Sequence, residues 1–211
     1  MGQLYTIGHS NFPEEHLFEL LKSFNIDYVL DVRSTPYSRY TPQYNSDVLK
    51  ERLKDQGIVY APMGKYFGAR QPDVKYYPDN YLDFELFRES DLFKKGRDSV
   101  LKGLDDYNIA LMCTEKNPAD CHRTIMVARG FELIGVDVKH ILHDNTFVPQ
   151  SRVNKQLLDM YFPDRGQLSI FDEENKSEEE YIIESYRKRN KEIGYRIGSD
   201  SEGDGHRDTD Q

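Results

Sequence analysis

The sequence predicts an α/β fold: a single domain with a mainly parallel sheet flanked by helices, plus a C-terminal linker and helix. Three observations predict it. Short apolar runs alternate with segments whose apolar residues recur at helical spacing, which is the order of strand and crossover helix. The runs from Tyr28 to Val32 and from Ile109 to Cys113 are apolar almost throughout, as strands covered on both faces are. Chain length completes the case, because 211 residues hold one well-buried α/β core and an appendage.

Leu4 to Ile7 reads as the first strand and ends in Gly8-His9-Ser10; Asn11, with Glu14 three residues on, has the spacing of a helix cap. Leu17, Leu20, Leu21 and Phe24 share one face of the helix that follows, and the strand from Tyr28 to Val32 runs into Arg33-Ser-Thr-Pro. Ser46 caps a second helix that passes through Leu49 and Leu53 to Gly57, before a third strand from Ile58 to Ala61. A stretch punctuated by glycine and proline leads to Asn80, long for a plain connection, and helical segments rich in Leu and Phe fill residues 81 to 105. The strand from Ile109 to Cys113, a helix from Cys121 to Ile134 stopped by Gly135, and a strand from Val136 to Leu142 close the pattern. The domain therefore spans residues 1–165, with a linker at 166–176, a charged helix at 177–198 and a disordered tail at 199–211.

Charge is unevenly spread. Residues 166 to 211 hold 13 acids against 7 bases and so carry −6 of the formal −9, leaving the domain near neutral. Two cysteines with none spare for a scaffold suit a reducing cytoplasm. No apolar run approaches bilayer-spanning length and no leader precedes the first strand, which predicts a cytoplasmic protein without membrane contact.

The most informative segment is Cys113 to Arg123, where two thiols, a carboxylate, an imidazole and a guanidinium lie within eleven residues at a strand-to-helix turn. Such turns stand at the carboxyl edge of a parallel sheet, where open α/β folds bind ligands. With Asp120 as helix cap, Cys121, His122 and Arg123 would occupy the first turn, whose dipole favours a thiolate and draws anions. Thr6-Ile-Gly-His-Ser10, Asp31-Val-Arg33 with Ser38-Arg39, and Cys113-x-Glu115 with Cys121-His-Arg123 together resemble the bacterial and archaeal family called domain of unknown function 488. The resemblance covers roughly residues 3 to 145. It implies a compact α/β domain with the matching residues gathered at one end of the sheet, and no particular reaction.

Chemistry then follows from residue type. Glu115, Cys121, His122 and His9 are the candidate catalytic groups, with Glu115 able to activate water or stabilise positive charge on a sugar. Arg33, Arg39 and Arg123, joined by Ser10 and Tyr37, are the candidate phosphate- and substrate-binding groups. Some residues of these types have a plain structural reading instead: Cys113 as core, Arg33 paired with Asp31, His16 solvated on its helix, His140 in the core. No cofactor is expected. The alternative is zinc on Cys113, Cys121 and His122 with His9 or His143, against which stands an eight-residue step between the cysteines that matches no common zinc knuckle.

Between residues 33 and 75 eight Lys or Arg face four acids, interleaved with Tyr37, Tyr40, Tyr44, Tyr60 and Tyr66, a texture that suits nucleic acid as well as tyrosines packed on a long loop. Gln167-Leu168-Ser-Ile170-Phe171 tips the balance, because it resembles the peptide by which bacterial replication and repair proteins dock on the DNA sliding clamp. The expected function is a DNA-associated hydrolase acting on a phosphate-bearing nucleotide or nucleic acid, with DNA or nucleotide and the clamp as partners. A non-catalytic lesion or nucleotide sensor and a thiol-redox or metal-binding protein are the alternatives.

Overall fold

The structure is a computed structural model that describes residues 2–165 and 176–198. The peptide residues Gln167, Leu168, Ile170 and Phe171 and the tail 199–211 lie outside the described residues.

A six-stranded sheet organises the chain. Its strands are β1 (Leu4–Gly8), β2 (Tyr28–Asp31), β3 (Val59–Pro62), β4 (Ile109–Cys113), β5 (Val138–Ile141) and β6 (Phe147–Pro149), in the order β3-β2-β4-β1-β5-β6. All neighbours are parallel except β6, which pairs antiparallel with β5. The helices are α1 (Glu14–Ser23), α2 (Ser46–Asp55), α3 (Gly64–Phe67), α4 (Phe84–Arg88), α5 (Asp91–Gly103), α6 (Arg129–Glu132), α7 (Gln150–Tyr161) and α8 (Glu178–Ile193); a π-helical segment, Arg123–Ala128, runs into α6.

Side chains of the central strand alternate between two cores. Ala110 and Met112 join Leu17, Leu21, Leu49 and Leu53 on the face covered by α1 and α2. Ile109, Leu111 and Cys113 join Phe67, Phe87, Phe93, Phe131, Val153, Leu157 and Tyr186 on the face covered by α3 to α8. The crossover from β1 therefore covers one face and the crossover from β4 the other, although the two strands are neighbours. The carboxyl ends of these two strands are thus the switch point at which α/β sheets take ligands.

Local signals differ from the expectations at three helix starts. Pro13, not Asn11, precedes α1, and Asn45 rather than Ser46 precedes α2. Asp120 caps nothing: Asn117 accepts from the Ala119 amide to cap a 3-10 turn at Pro118–Asp120, and Cys121 follows in extended conformation (φ −126°, ψ 139°). Asp120 pairs instead with Arg189 of α8, whose Nε also donates to the Ala119 carbonyl at 2.9 Å. The C-terminal helix is thereby part of the domain, and it begins with a full capping box between Ser177 and Glu180. Among the described residues no helix is long and apolar enough to cross a membrane.

Candidate functional site

The ladder between β1 and β4 ends with Gly8 opposite Cys113 and continues into the loops, where the His9 amide donates to the Cys113 carbonyl (2.9 Å) and the Ser10 amide to Thr114 (2.8 Å). The loop after β4 crosses directly over β1. A Cβ on Gly8 would lie 1.8 Å from the Glu115 carbonyl oxygen, so only glycine lets the loop pass. Arg123 holds that loop from the other side: its guanidinium donates to the carbonyls of Glu115 (2.6 Å) and Lys116 (3.3 Å), and the residue has no exposed surface.

Four side chains meet beneath the loop. Glu115 is exposed as a residue, yet its Oε2 turns inward and lies 2.7 Å from Cys121 Sγ and 3.3 Å from Cys113 Sγ. His122 Nδ1 faces the same sulfurs, 3.7 Å from Cys113 and 4.0 Å from Cys121. Its Nε2 donates to the Val32 carbonyl at 3.1 Å, so Nδ1 is the nitrogen turned to the sulfurs. Both cysteines are buried and free.

The electrostatics follow from this packing. Burial and then the charge of Cys121 lift the Glu115 carboxyl to about 7. Burial pushes the Cys113 thiol up. Burial also opposes charge on Cys121, but the Cys113 thiol, the Arg123 guanidinium and His122 together outweigh it and bring that thiol down. The preference for thiolate at Cys121 thus arises from these neighbours, and the Arg123 amide that opens the following helical segment points at the same sulfur from 3.5 Å. The segment that carries Arg123 is π-helical and wholly buried, a form frequent at functional sites.

His9 and Arg33 form the adjoining half. Arg33 pairs with Asp31 (Nη2 to Oδ2, 2.6 Å), donates to the Tyr44 carbonyl (2.8 Å) and reaches His9 Nε2 at 3.2 Å. His9 Nδ1 donates to the Ser10 carbonyl at 2.7 Å and the ring stacks on Tyr44 with centroids 4.0 Å apart. Burial, then Arg33, lowers His9 to about 4, so the imidazole is neutral at ordinary pH. Tyr60 completes the set by donating to Asp31 at 2.8 Å. His9, Arg33, Glu115, Cys121, His122 and Arg123 therefore share one end of the sheet. The guanidinium groups of Arg33 and Arg123, however, are engaged inside the protein. Arg39 and Tyr37 stand exposed on the loop beyond Arg33 and are not brought to the cluster, and Ser10 holds a left-handed turn (φ 51°) at the end of β1.

A groove of about 710 Å³ opens beside the cluster, lined by residues from the loops after β1, β4 and β5, among them Phe12, His16, Lys116 and His143. His16 is not merely solvated: its Nε2 lies 3.2 Å from His143 Nδ1, and His143 stacks on Phe12 with centroids 4.1 Å apart. The sequence carries no short-range signal for the His16–His143 contact, whose members are 127 residues apart. His140, by contrast, is in the core as expected, bonded to Thr6 (2.8 Å) and Gln150 (2.7 Å). Neither His9 nor His143 approaches the thiols as a fourth ligand-type group; Glu115 takes that place.

Fold and site together define an α/β protein of the switch-point kind, with a thiol–carboxyl–imidazole cluster where its crossovers diverge. The chain belongs to the family described as Domain of unknown function DUF488, whose pattern matches residues 14–129, more than half of its length. The match takes in Arg33, Cys113, Glu115, Cys121, His122 and Arg123 and begins after the Thr6–Ser10 segment. No curated protein matches the chain.

Proposed function

We propose that the protein is a DNA-associated hydrolase that acts on a phosphate-bearing nucleotide or nucleic-acid substrate at the carboxyl ends of β1 and β4. The observation that carries this reading is the contact of Glu115 Oε2 with both thiols and, through them, with His122 at the switch point, beside an open groove. Hydrolysis needs only water and a group that takes and returns a proton: the hydroxyl goes to the attacked phosphorus or sugar carbon and the proton to the leaving group. Glu115 lies on the exposed loop after β4, next in sequence to the groove-lining Lys116, where it can serve both steps, while His9 and Arg33 act by positioning the loops.

Substrate contact falls to groups that face the groove. The stacked rings of Phe12 and His143 line it with His16, and Lys116, whose Nζ lies 5.5 Å from the Phe12 ring centroid, offers an amine. Delivery to DNA is assigned to the peptide from Gln167 to Phe171.

The test is product formation from a panel of nucleotides and damaged or intact oligonucleotides. Glu115→Gln should lower turnover by about 100-fold or more, the scale of a lost acid–base group, while substrate binding changes little. Tight binding without product from the unaltered protein would identify a sensor and reject the hydrolase.

A further inference from the structure

We propose that Cys113, Cys121 and His122, with Glu115 at the fourth corner, bind a single divalent cation of the zinc class. The site is assembled by the fold and not by sequence spacing: a strand end supplies one sulfur, the loop over Gly8 supplies the carboxylate, and the extended residue before the π-helical segment supplies the other sulfur. All four donor atoms lie within 4.8 Å of one another. Ligands placed about 2.0–2.3 Å from zinc at tetrahedral corners stand about 3.3–3.8 Å apart. The separations of 3.3 Å (Cys113 to Glu115), 3.7 Å (Cys113 to His122) and 4.0 Å (Cys121 to His122) surround that range. Cys121 to Glu115, at 2.7 Å, is shorter, as a hydrogen bond in place of a shared metal requires.

Two surrounding contacts are those a metal ligand needs. The Val32 carbonyl takes the Nε2 proton of His122, so the ring is held in one tautomer and Nδ1 is aimed at the sulfurs. The Arg123 amide points at Cys121 Sγ from 3.5 Å, and the buried guanidinium of the same residue adds positive charge beside two thiolates and a carboxylate. Two sulfurs and an imidazole favour zinc and copper over magnesium, calcium or manganese, which seek oxygen. Binding releases whatever protons the two thiols and the Glu115 carboxyl carry and changes no oxidation state.

The inference deepens the proposed hydrolase and rests on it only for its use: Glu115 is on the outer loop, and water can take the corner it vacates, which would place an activated hydroxide at the carboxyl ends of β1 and β4. Binding itself is measured without turnover. The full-length protein, purified under reducing conditions and stripped with chelator, is titrated with cobalt(II) as a spectroscopic stand-in for zinc. The expected result is one equivalent bound, with thiolate-to-cobalt charge-transfer absorption and the intense visible bands of tetrahedral cobalt, all displaced by zinc. Cys113→Ser and Cys121→Ser should each remove most of the charge-transfer band, and Glu115→Gln should weaken binding about 10–100-fold and keep the band. The unaltered protein settles the matter should a serine variant fail to fold. Absence of a charge-transfer band from the folded, reduced protein, or a Cys113–Cys121 disulfide that forms in air and leaves no metal uptake after reduction, overturns the site. A chain that binds cobalt in this way and hydrolyses nothing overturns the hydrolase alone; one that hydrolyses and binds no cobalt overturns the metal site alone.

Discussion

Gly8 has an energetic role out of proportion to its size. The Glu115 carbonyl occupies the space of its missing Cβ, and that carbonyl is the one Arg123 binds, so a methyl group there would lift the loop and separate Glu115 from the thiols. Gly8→Ala should cost about 3 kcal/mol or more, beyond the usual penalty of overpacking because backbone must move, with the loss read from urea unfolding. His140 gives a second residue-scale expectation. Burial, then the Arg123 charge, lowers it to about 3 in the folded chain, whereas in the unfolded chain it titrates near 6.5. Between these values the unfolded state binds a proton that the native state refuses. Stability from His140 is therefore complete above pH 6.5 and falls by about 1.4 kcal/mol per pH unit as the pH drops toward 3. Unfolding free energies at pH 6.5 and 5 should show a drop about 2 kcal/mol larger than in His140→Gln, whose side chain does not titrate in this range.

At the scale of elements, the C-terminal helix is attached by a buried polar chain as much as by its apolar stripe. Thr6 donates to His140, His140 to Gln150 of α7, Gln150 to the Tyr186 hydroxyl (2.6 Å), and Tyr186 to Asn154 (2.6 Å), so each donor finds an acceptor along one direction. Tyr186→Phe leaves Gln150 and Asn154 each short of a partner and should cost about 1–3 kcal/mol, measured as a lower urea midpoint with unchanged slope. The same scale shows what was legible. The strands and their parallel order could be read because buried apolar runs such as Ile109–Cys113 carry their own signature. Within the domain the elements predicted from sequence end at Leu142, although Val153, Leu157 and Leu158 fall on one face of α7; β6, at three residues, is too short to announce itself. The helix after β4 starts later than Asp120 predicts because Asn117-Pro118, a cap followed by proline, competes with Asp120, and the residue that claims Asp120 is Arg189, 69 positions away. Likewise the cluster residues were visible as chemical types, while the engagement of Arg33 and Arg123 inside the protein depends on carbonyls that sequence does not display.

On the scale of the whole molecule, α8 and the linker before it have different work. The helix closes the larger core with Tyr186, only 3 % exposed, and pins the site loop through Arg189, so it is structural despite its charge. A chain ending at residue 165 loses that cover and strands Gln150, Asn154 and Asp120 without their partners. It should unfold at a markedly lower temperature than the full chain, with the loss spread over the whole domain because small α/β domains melt cooperatively. The paired substitution Leu168→Ala with Phe171→Ala should do the opposite: leave the melting temperature unchanged and abolish capture by purified sliding clamp, since the two apolar side chains supply the pocket contacts of such a peptide. A truncated chain as stable as the full one would show that α8 contributes nothing to the core. Unchanged capture by the doubly substituted protein would remove the peptide from the account of DNA delivery and leave the site, with its thiols, carboxylate and groove, to find its substrate unaided.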